Sequence, residues 1–224
     1  MQRLEFVGRK LLAHDVWEYS FMPEQPVEYV PGQYARFTFP YRIADPRGKQ
    51  HRTFSFISHP SESTIRILTR LDLPLSVFKQ PLSLLKPGAT MYIDEPHGDA
   101  ILPRIETTPV IFIAQGIALA SYLSMLREVA LHKLTYPLSL LWVRDDQDAA
   151  LASLVPALTF QHRIELAHPD RLTVDQIQPY DSPDSLLYLS GSQTFVEVLG
   201  DALEATGIPR ERIIYDYYSG YADL

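Results

Sequence analysis

Residues 110–123 read Val-Ile-Phe-Ile-Ala-Gln-Gly-Ile-Ala-Leu-Ala-Ser-Tyr-Leu, and this stretch decides the fold class. Val110 to Ala114 is a short, wholly apolar run, the pattern of a strand buried on both faces. Gly116 breaks it, and Ile117 to Leu131 continues as a helix. The unit then repeats. Leu138 to Val143, Ile164 to Ala167, Leu186 to Leu189 and Ile213 to Tyr215 read as further buried strands. Ala149 to Leu154, Val174 to Ile177 and Phe195 to Ala205 read as the helical segments between them. Strand and helix in alternation predict a doubly wound α/β parallel sheet, whose ligand crevice lies beyond the carboxyl ends of the strands.

Working back toward the N-terminus, the pattern changes near Arg104 to Thr108. The first hundred residues are punctuated by proline and glycine and carry short β-branched or aromatic runs: Tyr34 to Phe39, Arg52 to Ser58, Ile65 to Leu71 and Thr90 to Ile93. That spacing predicts a small antiparallel β-barrel. A helix over Leu75 to Leu84 interrupts it, ended by the turn Lys86-Pro87-Gly88. The expected organisation is therefore a barrel domain over residues 1–104 and an α/β domain over 105–224.

The 224 residues are 46% hydrophobic, enough for two modest cores. A net charge of -7 argues against a surface that tracks nucleic-acid phosphates or an anionic membrane. Val110 to Leu123, the longest apolar stretch, is interrupted by Gln115 and too short to span a bilayer. With no targeting segment at Met1 to Lys10, the expectation is a cytoplasmic protein without a membrane span. The absence of cysteine excludes disulfides, thiolate metal sites and an iron–sulfur cluster on these residues. Seven histidines show no metal-ligand spacing along the chain, so no metal is expected. Glycine-serine-glycine elbows and phosphate loops of the glycine-lysine-threonine type do not occur.

Two segments of the barrel carry a resemblance. Pro31-Gly32-Gln33-Tyr34 is followed about twenty residues on by Arg52-Thr53-Phe54-Ser55, and together they resemble the flavin domain of ferredoxin–NADP reductases. There a proline-glycine-glutamine turn precedes a strand, and an arginine-x-aromatic-serine strand holds the flavin. The order of barrel then α/β domain agrees over nearly the whole chain. The resemblance implies an FAD-dependent oxidoreductase that passes electrons between NADPH or NADH and a partner such as ferredoxin or flavodoxin. FAD is implied over FMN.

The roles it implies have physical reasons. Arg52 would hold a flavin phosphate through forked, charge-assisted hydrogen bonds. With Thr53 between them, Phe54 would offer a ring to the isoalloxazine face and Ser55 a hydroxyl near its N5 edge. Leu68 and Thr69 match the strand that meets the flavin's pyrimidine edge, and Ser76 matches a serine opening the barrel helix near the pyrophosphate. Leu73 stands where that family has a glycine before the serine.

In the second domain Gln115-Gly116-Ile117-Ala118 and Ser121 stand where the family usually has a glycine-rich turn with threonine and proline. Only Gly116 is kept. Ser190-Gly191 is similar to the cysteine-glycine turn beside the hydride-transfer site, which makes Ser190 a catalytic candidate and Gly191 a cofactor contact. The residues alone fit equally a plain turn before the helix at Phe195. Two readings stand for Arg144: a contact to the 2′-phosphate of NADP, or a solvated charge beside Asp145 and Asp146. Tyr218, and Tyr221 after it, resemble the terminal aromatics that cover the flavin face, though a last strand ending in aromatics is as often simple packing. A flavin-binding subunit that has lost nicotinamide reduction is the alternative that the altered turn keeps open.

Overall fold

The computed structural model describes residues 1–46, 48–167 and 172–218, with Ala167 and Tyr218 by their backbones alone. An antiparallel sheet comes first, built from β1 (Gln2–Ala13), β2 (Val16–Pro23), β3 (Tyr34–Thr38), β4 (His51–Ser55), β5 (Ile65–Arg70) and β6 (Thr90–Ile93). Its strand order is β4-β3-β6-β1-β2-β5, a barrel-like sheet that does not close. Beyond the end of β4, Ile57 N–H donates to Arg66 C=O at 2.9 Å and brings the two edges together.

The β1–β2 hairpin is a finding beyond the sequence expectation. Leu4 and Phe6 on β1 and Val16, Tyr19 and Phe21 on β2 are fully buried, so each strand alternates one face inward. Bulges after Phe6 and Leu11 break that alternation, which hides the period-2 signal. The barrel interior is aromatic, with Phe6, Phe21, Phe37, Phe54, Phe56 and Phe78 in one cluster. The expected helix over Leu75 to Leu84 is reduced to α1 (Lys79–Ser83). Pro81 explains this: lacking an N–H and crowding the turn before it, it is tolerated only in the first turn, so the helix begins at Lys79.

The second sheet is wholly parallel. It contains β7 (Val110–Gln115), β8 (Leu138–Arg144), β9 (His162–Ala167), β10 (Leu186–Ser192) and β11 (Ile213–Tyr218), in the order β11-β10-β7-β8-β9. The connections run through α2 (Ala120–His132), a 3-10 stretch at Asp146–Leu154, α3 (Val174–Ile177) and α4 (Gln193–Ala205). Order reverses between β7 and β10, which creates a crevice at their carboxyl ends. On one face Ile113, Leu141, Leu189 and Val196 form a core beneath α4. On the other, Phe112, Tyr122, Trp142 and Tyr188 form a core that also takes in Val16, Ile57 and Leu68 of the antiparallel sheet. The two sheets therefore share one hydrophobic cluster. No helix of the described residues is long and apolar enough to cross a membrane.

The Pro31-Gly32 turn packs against α2 and the segment that leads into the parallel sheet. Gly32 has φ of 102°, its N–H donates to Ser124 Oγ at 2.8 Å, and an added Cβ would stand 2.1 Å from the carbonyl oxygen of Ala100. Only glycine accommodates both the left-handed backbone and that approach. Gly32→Ala is therefore expected to cost at least about 2 kcal/mol of stability. Urea unfolding checks this, and an unchanged midpoint and slope would contradict it.

Candidate functional site

At the seam between the sheets, side chains from four elements form a hydrogen-bonded line. Ser55, at the end of β4, is 6% exposed, and its Oγ lies 3.3 Å from Ser121 Oγ on α2. Ser190 on β10 is fully buried and donates to Asp216 Oδ2 at 3.0 Å, with its Oγ 3.2 Å from Ser121 Oγ. Ser121 also hydrogen-bonds the Asp216 carboxyl. Burial pushes that carboxyl above the ordinary carboxylate range, against the pull of the two serines. Ser55 and Ser190, singled out from the sequence, are thus brought to one place.

Ser121 and Asp216 complete that line and were not among the sequence candidates. Both had a readable signal: Ser121 begins a polar stripe, with Ser124 and Glu128, along an otherwise apolar helix, and Asp216 is an acid within a mostly apolar last strand. Tyr218 follows two residues after Asp216, and its backbone pairs with Ser192 across β10 and β11. Tyr221 lies outside the described residues.

The crevice at the switch point has a volume of about 230 Å³. Its lining includes Arg70, Gln115, Gly116, Arg144, Asp148 and Gly191. Gly116 adopts φ of 55°, with Asp148 Oδ2 standing 3.4 Å from where a Cβ would sit. At Gly191 a Cβ would meet the Phe195 ring at 2.6 Å and the Gln115 side chain at 3.1 Å, so the missing side chain allows those two to close in. Gln115 Oε1 accepts from Ser192 Oγ at 2.9 Å and from Ser192 N–H at 3.2 Å.

Asp148 is 1% exposed and was also missed, because it sits in a 3-10 stretch without periodicity. Its Oδ1 pairs with Arg70, which reaches Asp15 Oδ1 at 2.6 Å with its other arm. Burial raises the Asp148 carboxyl despite this partner. Its Oδ2 is buried without a hydrogen-bond partner, an arrangement that invites a donor from a ligand.

The remaining sequence candidates lie apart from that line. Arg52 sits 3.6 Å from Asp45 and over the Phe78 ring at 5.7 Å. Phe54, on the same face of β4, packs against Phe37 with ring centroids 5.4 Å apart and against Phe78 at 6.3 Å. Only 8% of Phe54 is exposed, so its first role is in the barrel core. Thr53 points to the exposed face of the strand. Leu68 and Thr69 are buried on β5, Leu68 in the core that both sheets share. Ser76 is exposed, and its Oγ accepts from Lys79 N–H at 3.3 Å. Arg144 lines the crevice while its Nε donates to Glu165 at 2.8 Å, so it is neither free nor simply solvated.

No protein-family model matches the chain. Among curated proteins it is 28% identical over 210 residues to the ferredoxin–NAD(P)+ reductase component of the naphthalene 1,2-dioxygenase/salicylate 5-hydroxylase systems of Ralstonia sp, covering 87% of this chain and 62% of that protein. It is 20% identical over 208 residues to flavohemoprotein A of Dictyostelium discoideum, covering 85% of this chain and 52% of that protein. The chain thus spans between about half and two thirds of these relatives. Among solved structures, the ferredoxin–NADP+ reductase of Neisseria gonorrhoeae with bound FAD and NADP shares the fold at a TM-score of 0.78 and 14% identity, over 96% of this chain and 97% of that one. The likeness runs through both sheets and their connections, and the chain shares the two-sheet fold of the ferredoxin–NADP reductases.

Proposed function

We propose that this protein is an FAD-dependent oxidoreductase that takes electrons from NADPH or NADH and passes them to a separate acceptor such as ferredoxin or flavodoxin. The observation that carries the reading is the line Ser55–Ser121–Ser190–Asp216, set between the antiparallel sheet and the switch-point crevice. Relatives named as ferredoxin–NAD(P)+ reductase components support a protein acceptor. With no cysteine in the sequence, any iron–sulfur centre would lie outside these 224 residues. A cytoplasmic setting goes with this reading.

The residues present fit the two cofactors. Gly116 leaves backbone open at the crevice, Gly191 lines it beneath Phe195 and Gln115, and the orphaned Asp148 Oδ2 beside Arg70 can accept from a ribose hydroxyl. Arg52 would hold a flavin phosphate, with Leu68 and Thr69 beside the ring, Ser76 near the pyrophosphate and Thr53 and Phe54 completing the strand. Tyr218 and Tyr221 would cover the ring. When bound, the flavin supplies hydride acceptance from a nicotinamide and single-electron release to the acceptor. The chain's own part is geometric and electrostatic. Ser55 presents a hydroxyl at the seam, Ser190 and Ser121 hold Asp216, and burial shifts the Asp216 carboxyl toward its protonated form. Arg144 would have to exchange Glu165 for a 2′-phosphate, which favours NADH.

A second reading has its own observation. Gln115 fills the turn that the family usually leaves to glycine and binds Ser192 across the crevice. A flavin-binding subunit of a larger redox assembly, unable to accept electrons from nicotinamide directly, would have that feature. Anaerobic titration of the purified protein with NADH and then NADPH, read at the flavin's visible band, separates the two. Bleaching by either nucleotide is the expected result, and a yellow protein that neither reduces would establish the second reading.

Arg52→Ala is expected to lower flavin retention at least tenfold, measured as the flavin-to-protein absorbance ratio after gel filtration. An unchanged ratio would remove Arg52 from the site. Because the Asp216 carboxyl is raised in the fold, its contribution to stability is present below about pH 3.9, the unfolded value, and is lost as pH rises through its folded value. Asp216→Asn has no such loss. Its stability relative to the parent is expected to improve as pH rises above about 4 and to level off above the folded value in urea unfolding, whereas parallel curves would refute the assignment.

A further inference from the structure

Outside the crevice, His59, Glu128 and His132 converge where the loop after β4 meets the last turn of α2. His59 Nε2 lies 2.5 Å from Glu128 Oε2, and His132 Nε2 lies 3.7 Å from Glu128 Oε1. All three potential ligand atoms fall within 4.8 Å of one another. Glu128 and His132 are one turn apart on the same helix face. His59 arrives from the other sheet, 69 residues from Glu128 in sequence. We propose that these three side chains form a site for a divalent cation of the zinc class, which fastens the antiparallel sheet to α2.

The donor set decides the class of ion. Two imidazoles and one carboxylate suit borderline cations such as zinc or cobalt, whereas calcium and magnesium prefer all-oxygen shells. Zinc–nitrogen and zinc–oxygen bonds of about 2.0–2.2 Å in a tetrahedron place ligand atoms about 3.3 Å apart. The observed 2.5 and 3.7 Å separations bracket that spacing, so modest side-chain rotation suffices. Three protein ligands leave a fourth position for water, and His132, with 53% of its side chain exposed, gives an ion a way in.

Much of the shell is already held. His59 N–H donates to Glu62 Oε1 at 2.7 Å and Glu62 N–H donates to His59 C=O at 2.9 Å, which locks the loop. Arg127, the neighbour of Glu128, donates to Ile57 C=O in the same loop. His59 Nδ1 lies 2.7 Å from Ser61 Oγ, the kind of outer partner that orients a metal-bound imidazole. Ser61 N–H donates to Nδ1 at 3.1 Å, so loading at Nε2 exchanges this contact for an Nδ1–H bond to the Ser61 hydroxyl. The nearby Arg66 is neutralised by Glu18 and Glu62. The expectation of no metal rested on spacing along the sequence, and folding supplies the ligand that spacing lacked.

The test uses the full flavin-loaded chain, stripped with a chelator and exchanged into chelator-free buffer. Titration with zinc chloride by calorimetry, and with cobalt chloride by visible absorption, should give one saturable equivalent per chain and the absorption bands of low-coordinate cobalt. Saturating zinc should raise Tm by about 5 °C. His132→Gln, at an exposed position, should fold normally and weaken binding at least tenfold, as should His59→Gln. His162→Gln, at an exposed histidine outside the cluster, should leave it unchanged. Absence of saturable binding, or binding indifferent to both cluster substitutions, would overturn the site. Neither result bears on nicotinamide oxidation, because none of the three residues lines the crevice.

Discussion

Helix α2 presents Ser121, Ser124, Glu128 and His132 along one stripe, and the relation between the two sheets depends on what that stripe touches. Ser121 meets Ser55, Ser124 takes the Gly32 amide, and Glu128 takes His59. Arg127 beside them reaches the Ile57 carbonyl. Residues three, four or seven apart on a helix share a face, so a short polar pattern becomes a continuous rail against the antiparallel sheet. Beneath that rail Met125 and Leu126 are buried, and the apolar residues drive the contact while the polar ones set its register.

A second constraint closes the far side of the same seam. Arg70, from the last strand of the antiparallel sheet, is held between Asp15 of the β1–β2 turn and Asp148 of the parallel domain. Breaking a buried ion pair of this kind by removing one partner typically costs about 3–5 kcal/mol, because the other charge remains buried. Asp148 still has one unsatisfied oxygen. Such a group is costly for the fold alone and fits a place kept for binding.

How much of this could be read from the sequence depended on whether the signal was local. The three central parallel strands β7, β8 and β10 were legible because each is buried on both faces and so reads as an apolar run, Val110 to Ala114 most clearly, whereas the edge strands β9 and β11 are only partly buried and carry Glu165 and Asp216 within shorter apolar signals. The β1–β2 hairpin was not, since bulges interrupt its alternation and Leu11, half exposed, breaks the pattern further. The expected helix over Leu75 to Leu84 overextends because the apolar residues around Pro81 have helical spacing, while proline confines the helix start to the residues just before it. In the site, Ser55 and Ser190 were found through short motifs. Ser121, Asp148 and Asp216 were not, because their importance comes from partners 26 to 78 residues away. The His59 cluster belongs to the same class.

The hydrophobic cluster that takes residues from both sheets has a consequence for how this pair of domains can be exchanged among proteins. Val16, Ile57 and Leu68 pack with Phe112, Leu123 and Trp142 in one core. Cutting the chain between the sheets would leave each half with an apolar face open to water, which isolated domains avoid. Recombination that preserves folding therefore has to cut outside the pair and carry both sheets together. Similarity that spans both sheets at once, within longer relatives as different as a dioxygenase reductase component and a flavohemoprotein, is what a unit inherited whole would leave behind.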